Sequence, residues 1–286
     1  MEINITQLCD LDPMLDDAKI LARVISIWKS HPKQRPNEVW SLDAVLQDQM
    51  GNRVQATIRN HDIKKFQPIL DEGACYRISN FGIGENSGNF PLLEHRFKLS
   101  FFKNTALTRV ESFDSNPRGF RFEHFGAFTS RKFSERELSD VIGTIVSISD
   151  AIPFNYAGVD KIRRTVILED YEGARLECCF FYSWSDKFSK LYDERDKSGI
   201  VVMILQLCKV KYFNEKPSVT PAMYSTKLYI NNDIPEIAAF RKRYSEKEGF
   251  DPENHSIVQF TSVKKEVTVE DFFRGRQNDG GSYTRF

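Results

Sequence analysis

The sequence predicts an all-β protein with short helices, folded as two tandem five-stranded barrels, and its internal repetition is the first reason. Slid along itself by 122 positions, the 286-residue chain matches residues 40–70 to residues 162–192 without a gap. Leu46, Asp48, Gly51, Arg53, Lys65 and Phe66 fall on Leu168, Asp170, Gly173, Arg175, Lys187 and Phe188, and apolar Val45, Val54 and Ile69 fall on Ile167, Leu176 and Leu191. The match extends to ARVISI (22–27) on GTIVSI (143–148) and YRISNF (76–81) on CKVKYF (208–213), with insertions of the kind loops tolerate. The second reason is local. Apolar and polar residues alternate on either side of Met50-Gly51-Asn52 and again around Gly173, the pattern of a β-hairpin with one buried face.

In the first copy the pattern predicts strands over residues 18–28, 38–46, 53–59, 75–83 and 93–102, with a helix over 62–70. In the second it predicts strands over 141–149, 162–169, 174–181, 199–213 and 225–230, with a helix over 185–193. Five strands with a helix between the third and fourth outline an OB-fold barrel; a five-stranded barrel of other kinship is the alternative. The expected division is a first OB domain at 1–110, a linker at 111–138, a second OB domain at 139–245 and a polar tail at 246–286. The second domain closes on the helix IPEIAAFRKRY (234–244), whose basic last turn suits the negative end of a helix dipole. Phe120, Phe122, Phe125 and Phe128 crowd the linker, and we read them as seating it on apolar surface.

Composition narrows the function classes. Hydrophobic residues are 41% and charged residues 28%, values of a globular protein, and no apolar run reaches the ~18 residues of a spanning helix. The N-terminal MEINITQLCDLDPMLDD lacks the basic head and apolar run of a secretory signal. Lys plus Arg (40) balance Asp plus Glu (40), which argues against indiscriminate binding to polyanions but leaves room for a local basic groove. The five cysteines lack CxxC spacing, the five histidines lack HExxH or HxxxH spacing, and no phosphate-binding glycine loop occurs. The expectation is therefore no enzyme, no metal and no cofactor.

OB barrels hold single strands by stacking bases on aromatic side chains while cations follow the phosphates. On the relevant strands stand Trp40, Phe81, Phe181 and Phe213, of which Phe81 and Phe213 are repeat equivalents. The cationic candidates are Lys33 and Arg35 in the loop after the first strand, Lys161 and Arg163 in DKIRR, and Lys209 and Lys211, which alternate toward one face of the strand ending at Phe213. Arg23 and Arg53 complete the set.

Over residues 15–245 the chain resembles the large subunit of replication protein A, plant-type, in its two central tandem OB domains. The residues that carry the resemblance are VWSLDAVLQDQMGNRVQATI and KKFQPIL in the first domain, and DVIG, LEDYEG, SDKF and NDIPE in the second. The resemblance implies stacking roles for Trp40 and for either Ile78 or Phe81 in the first domain, and for Phe181 and Phe213 in the second, with Phe181 where a tryptophan is common. It implies single-stranded DNA as ligand, a nuclear location, and work in replication, repair or recombination. Other subunits of the complex and repair proteins are the expected partners. The family's N-terminal interaction barrel and C-terminal zinc barrel have no counterpart in these residues, so the expectation is a shortened, monomeric relative outside the trimer. Two other readings stay open: a barrel pair kept for protein interaction alone, and a binder of single-stranded RNA, which stacking does not distinguish from DNA.

Overall fold

The computed structural model describes residues 4–32, 35–87, 92–130, 133–156, 158–197, 199–251 and 255–260. They form two compact units. The first holds the described residues up to 142 together with 204–210 and 221–229; the second holds 143–203, 211–220 and the described residues from 230 onward.

The first copy of the repeat opens with β1 (Lys19–Ser30), β2 (Ser41–Gln47), β3 (Arg53–Arg59) and helix α1 (Asn60–Phe66). It continues through β4 (Cys75–Ser79), β5 (Gly82–Glu85), β6 (Phe97–Phe101) and β7 (Ala106–Val110), giving a sheet ordered β5-β6-β3-β2-β1-β4-β7. A short helix α2 (Phe125–Thr129) follows in the connecting segment. The second copy contains β8 (Leu138–Ser149), β9 (Ile152–Tyr156), β10 (Val159–Glu169), β11 (Arg175–Phe181), helix α3 (Ser183–Asp193), β12 (Val202–Phe213), β13 (Lys216–Pro221) and β14 (Lys227–Ile230). Helix α4 (Pro235–Ser245) and β15 (Val258–Phe260) end it. A β12–β8 pairing closes β8, β10, β11, β13 and β12 into a ring, with β9 on β10, β14 on β12 and β15 on β8.

Both copies are OB folds. Third and fifth barrel strands pair in parallel, β3 with β6 and β11 with β13, and the first strand of each meets a register shift, at Val24/Ser26 and opposite Ile167/Leu168. Such bulges bend a strand enough for it to join both sides of a barrel. Side-chain alternation supplies the cores. Leu42, Ala44 and Leu46 of β2 face inward with Val54, Ala56 and Ile58 of β3, and Val166 and Leu168 of β10 do the same with Leu176, Cys178 and Phe180 of β11. The helices contribute the equivalent residues Phe66 and Phe188, both fully buried, Phe66 tilted on Phe101 at 5.7 Å and Phe188 stacked on Phe180 at 4.9 Å. Burying one such ring contributes about 1.5–3 kcal/mol.

The shared Asp-x-x-Gly turns explain other repeat identities. Gly51 and Gly173 adopt φ of +82° and +85°, where a side chain would be strained, and Asp48 and Asp170 tie each turn by accepting backbone N–H bonds from Asn52, and from Glu172 and Ala174.

Two strand expectations need correction. The fifth barrel strand of the second copy is β13, whereas Lys227–Ile230 is the added strand β14. Pro217 and Pro221 obscure β13 in the sequence, but it pairs with β11 through Ser218 and Val219 only, between the prolines. The second correction is that β7 and β9 are strands where none was expected. In the segment 111–138, Phe120, Phe125 and Phe128 are buried and Phe120 stacks on Phe122 at 4.9 Å, as the crowded aromatics suggested. Of the segment expected as a polar tail, residues 258–260 pair in parallel with Ser147–Ser149 of β8; the residues beyond 260 lie outside those described.

Candidate nucleic-acid interface

In the second unit the site follows from strand register. Lys161 of β10 stands opposite Phe154 of β9, and Arg163 stands opposite both Ile152 of β9 and Phe181 of β11. Opposed residues share a face, and alternation puts Lys161, Arg163, Thr165 and Ile167 on the side away from the core residues Val166 and Leu168. Two cations and two aromatic rings therefore share one outward face.

The rings touch. Phe154 meets Phe181 edge-on at 6.0 Å and Tyr182 at 5.8 Å, and the Lys161 ammonium lies 4.0 Å from the Tyr182 ring centre. Tyr182 has φ +54° and ψ −133°, a region that a bulky residue occupies only where its surroundings impose it. Its carbonyl accepts from Ser185 N and its N–H donates to Ile162 O, so the turn into α3 holds the ring beside Phe181. Such backbone strain concentrates at ligand-holding positions.

Phe213 ends β12, half-buried, directly before Asn214 and Glu215, whose φ values of +47° and +66° make the tight hairpin turn into β13. Lys209 and Lys211 alternate with buried Cys208 and Val210 along the same strand and are half-buried.

The first unit presents a different surface. Trp40 is 62% exposed just before β2, anchored by backbone bonds from its N–H to Ser30 O and from Asn60 N to its carbonyl. Phe81 packs partly buried against the barrel core. Ile78 is completely buried in that core, so of the two positions left open only Phe81 has surface to offer. Arg35 is exposed and pairs with Glu38 at 2.7 Å; Lys33 lies outside the described residues.

Arg23 and Arg53 must be withdrawn from the interface. Arg23 is fully buried, ion-paired with Asp114 at 2.8 Å and bonded to Ser112 Oγ at 2.7 Å, under the Phe113 ring. Burial works against the Asp114 charge, but bonds from Arg23 and from Asn116 N hold its carboxyl below the ordinary value. Arg53 is buried too, with Nη1 and Nη2 on the two Asp140 oxygens at 3.1 and 2.5 Å, Nη2 also on Gly119 O at 3.0 Å, and Nε on Gln47 Oε1 at 2.7 Å. Its repeat equivalent Arg175 likewise donates from Nε to Glu169 at 2.9 Å. A buried guanidinium already paired with a carboxylate cannot neutralise a phosphate.

The repeat register finds what aromatic content missed. Subtracting 122 from Phe181 gives Arg59, an exposed residue ending β3, so Arg59 occupies in the first unit the place of a ring in the second. Phe154 and Tyr182 had no such signal: Phe154 lies on the added strand β9, and Tyr182 becomes visible only through its backbone. Among the described residues, no group of three or more His, Cys, Asp or Glu could hold a metal ion, and no helix is long and apolar enough to cross a membrane.

Comparison with known proteins agrees with the resemblance read from the sequence. A family model described as a domain of unknown function, DUF223, matches residues 9–129. A replication protein A 70 kDa DNA-binding subunit from Oryza sativa subsp. japonica is 24% identical over 211 residues, covering 72% of this chain and 22% of its own length. The replication protein A 70 kDa DNA-binding subunit of Danio rerio is 22% identical over 263 residues, covering 90% of this chain and 41% of its own length. The chain thus spans less than half the length of these relatives. A solved structure of a replication protein A heterotrimer bound to ssDNA matches with a TM-score of 0.56 at 20% identity, covering 90% of this chain and 57% of that one, which establishes the shared OB fold.

Proposed function

We propose that this relative of the replication protein A large subunits is a non-enzymatic single-stranded DNA-binding protein of the nucleus, working in replication, repair or recombination. The observation that carries the reading is the outward face of β9, β10 and β11, where Phe154 and Phe181 stand opposite Lys161 and Arg163. Bases stack on the rings and phosphates follow the cations, a mode that reads little base identity. Phe213, Lys209 and Lys211 extend the set along β12; Trp40, Phe81, Arg35 and Lys33 are the first domain's contribution. The domains we propose are 1–110 and 139–245, joined by 111–138 and followed by 246–286. Tethering raises the effective concentration of the second site once the first is engaged. Replication protein A subunits and repair proteins are the proposed protein partners.

The test is fluorescence anisotropy with a labelled single strand of about 30 nucleotides, enough for two OB sites. Wild type should bind, weaken steeply with salt, and lose about 5- to 150-fold in affinity for each of Phe181→Ala and Phe213→Ala, since a stacked base contributes about 1–3 kcal/mol. An RNA of the same length decides the sugar preference. Failure to bind either strand at low salt would reject the reading and leave a protein-interaction scaffold.

A further inference from the structure

One buried charge has no part in the site described above. Asp43 lies in the middle of β2, in the row that faces away from the barrel interior with Ser41 and with Val45, which is itself covered by a second apolar cluster; Asp43 stands opposite Trp28 of β1 and Thr57 of β3 and is 4% exposed. Its carboxylate accepts bonds from Ser30 Oγ at 2.5 Å, Ser41 Oγ at 2.8 Å, Thr57 Oγ1 at 2.7 Å and Gln55 Nε2 at 3.4 Å. Among the described residues, no cation forms an ion pair with it.

Two consequences follow for this face. A negative charge sits beneath the surface where solvent screens it poorly. The hydroxyls that could have donated to a base or a phosphate donate inward to Asp43 and turn lone pairs outward.

The equivalent row of the second unit differs at the decisive places. Thr165 stands where Asp43 does and Phe181 where Arg59 does. The second unit has its own outward carboxylate, Glu177, but it is exposed and four residues from Phe181, about 13 Å along the strand. Asp43 is instead buried, opposite Thr57 and two residues' rise from the Arg59 position.

We infer that Asp43 sets the outward face of the first unit against the phosphates of a nucleic-acid strand, so that the second unit carries most of the affinity for single-stranded DNA. Asp43 is then a negative determinant of binding, and the two barrels divide the work unequally. The inference rests on the single-strand reading above and goes beyond it by naming the barrel that carries most of the affinity and the residue that weakens the other.

The experiment is Asp43→Asn in the full chain, titrated by anisotropy with the 30-nucleotide strand. Asparagine keeps the shape, and the serine and threonine hydroxyls can rotate to accept from its amide. One charge removed about 10 Å from a phosphate, at a dielectric between protein surface and water, should tighten binding about two- to tenfold, with the gain shrinking as salt rises. The converse variant Thr165→Asp should weaken binding by a similar factor, and it carries the test if Asp43→Asn melts early. Wild-type binding with Asp43→Asn folded and no tighter overturns this inference and leaves the single-strand reading standing. Absence of wild-type binding overturns both.

Discussion

Replacing Arg53 with alanine should unfold the first unit at a lower temperature rather than weaken binding to a strand. The Arg53 and Asp140 side chains are 1% and 0% exposed, so removal of the guanidinium strands a carboxylate away from water. Arg121 N and Leu207 N still donate to Asp140, at 2.8 and 2.9 Å, but both are neutral donors. Gln47 Oε1 and Gly119 O lose their donor at the same time. Breaking one side of a buried pair typically costs about 3–5 kcal/mol, or roughly 6–20 °C in melting temperature for a domain of this size. Circular dichroism melts and urea titrations read the loss directly. Arg53→Lys should fall between, because a point charge cannot reach Gln47, Gly119 and both Asp140 oxygens together. The reasoning fails if Arg53→Ala melts with the wild type while the slope of log affinity against log salt drops by about one, the signature of a lost phosphate contact.

Two further outcomes concern the second unit. Gly173→Ala should cost about 1–2 kcal/mol in urea titrations, because φ of +85° excludes a side chain at that turn; an unchanged midpoint would contradict the left-handed geometry. Acidification should loosen the packing of α4: burial opposes the Glu169 charge, yet bonds from Lys247, Arg175 and Tyr244 hold its carboxyl below the ordinary value. The unfolded chain then binds the extra proton first, so this contribution is complete above the free carboxyl value of about 4.3 and fades as pH falls through the lower folded value. Glu169→Gln should flatten that part of the stability–pH curve, and an identical curve would refute the coupling.

Much of the fold was legible because two periodicities are hard to disguise. Strict alternation in β2, β3, β10 and β11, punctuated by Gly51 and Gly173, identifies hairpins, and the 122-residue offset fixes how the strands correspond. β13 was not legible, since KPSVTP places prolines near both ends of a strand whose ladder to β11 uses only its middle. Phe181 and Phe213 could be singled out by position. Arg23 and Arg53 could not be separated from surface cations, because their carboxylate partners lie 91 and 87 residues away and sequence adjacency says nothing of them. Asp43 was invisible for the converse reason. A lone acid in an alternating strand reads as a solvated side chain until its hydroxyl donors are placed around it.

The repeat therefore carries two kinds of information. Where the copies agree, both have solved the same folding problem: Gly51 and Gly173 turn a hairpin, Phe66 and Phe188 fill a barrel, and Arg53 and Arg175 tie the base of the hairpin to Gln47 and Glu169. Identity at those places reports stability, which is why the arginine shared by both copies is tied to its own hairpin, buried in the first copy and exposed but paired with Glu169 in the second. The rows that face away from the barrel interiors carry less of that constraint, since their side chains do not fill the barrels. There the copies part, at Asp43 and Thr165 and at Arg59 and Phe181. Two divergences on one face, within a register that holds elsewhere, are what two barrels with the same fold and different affinities for a strand would show.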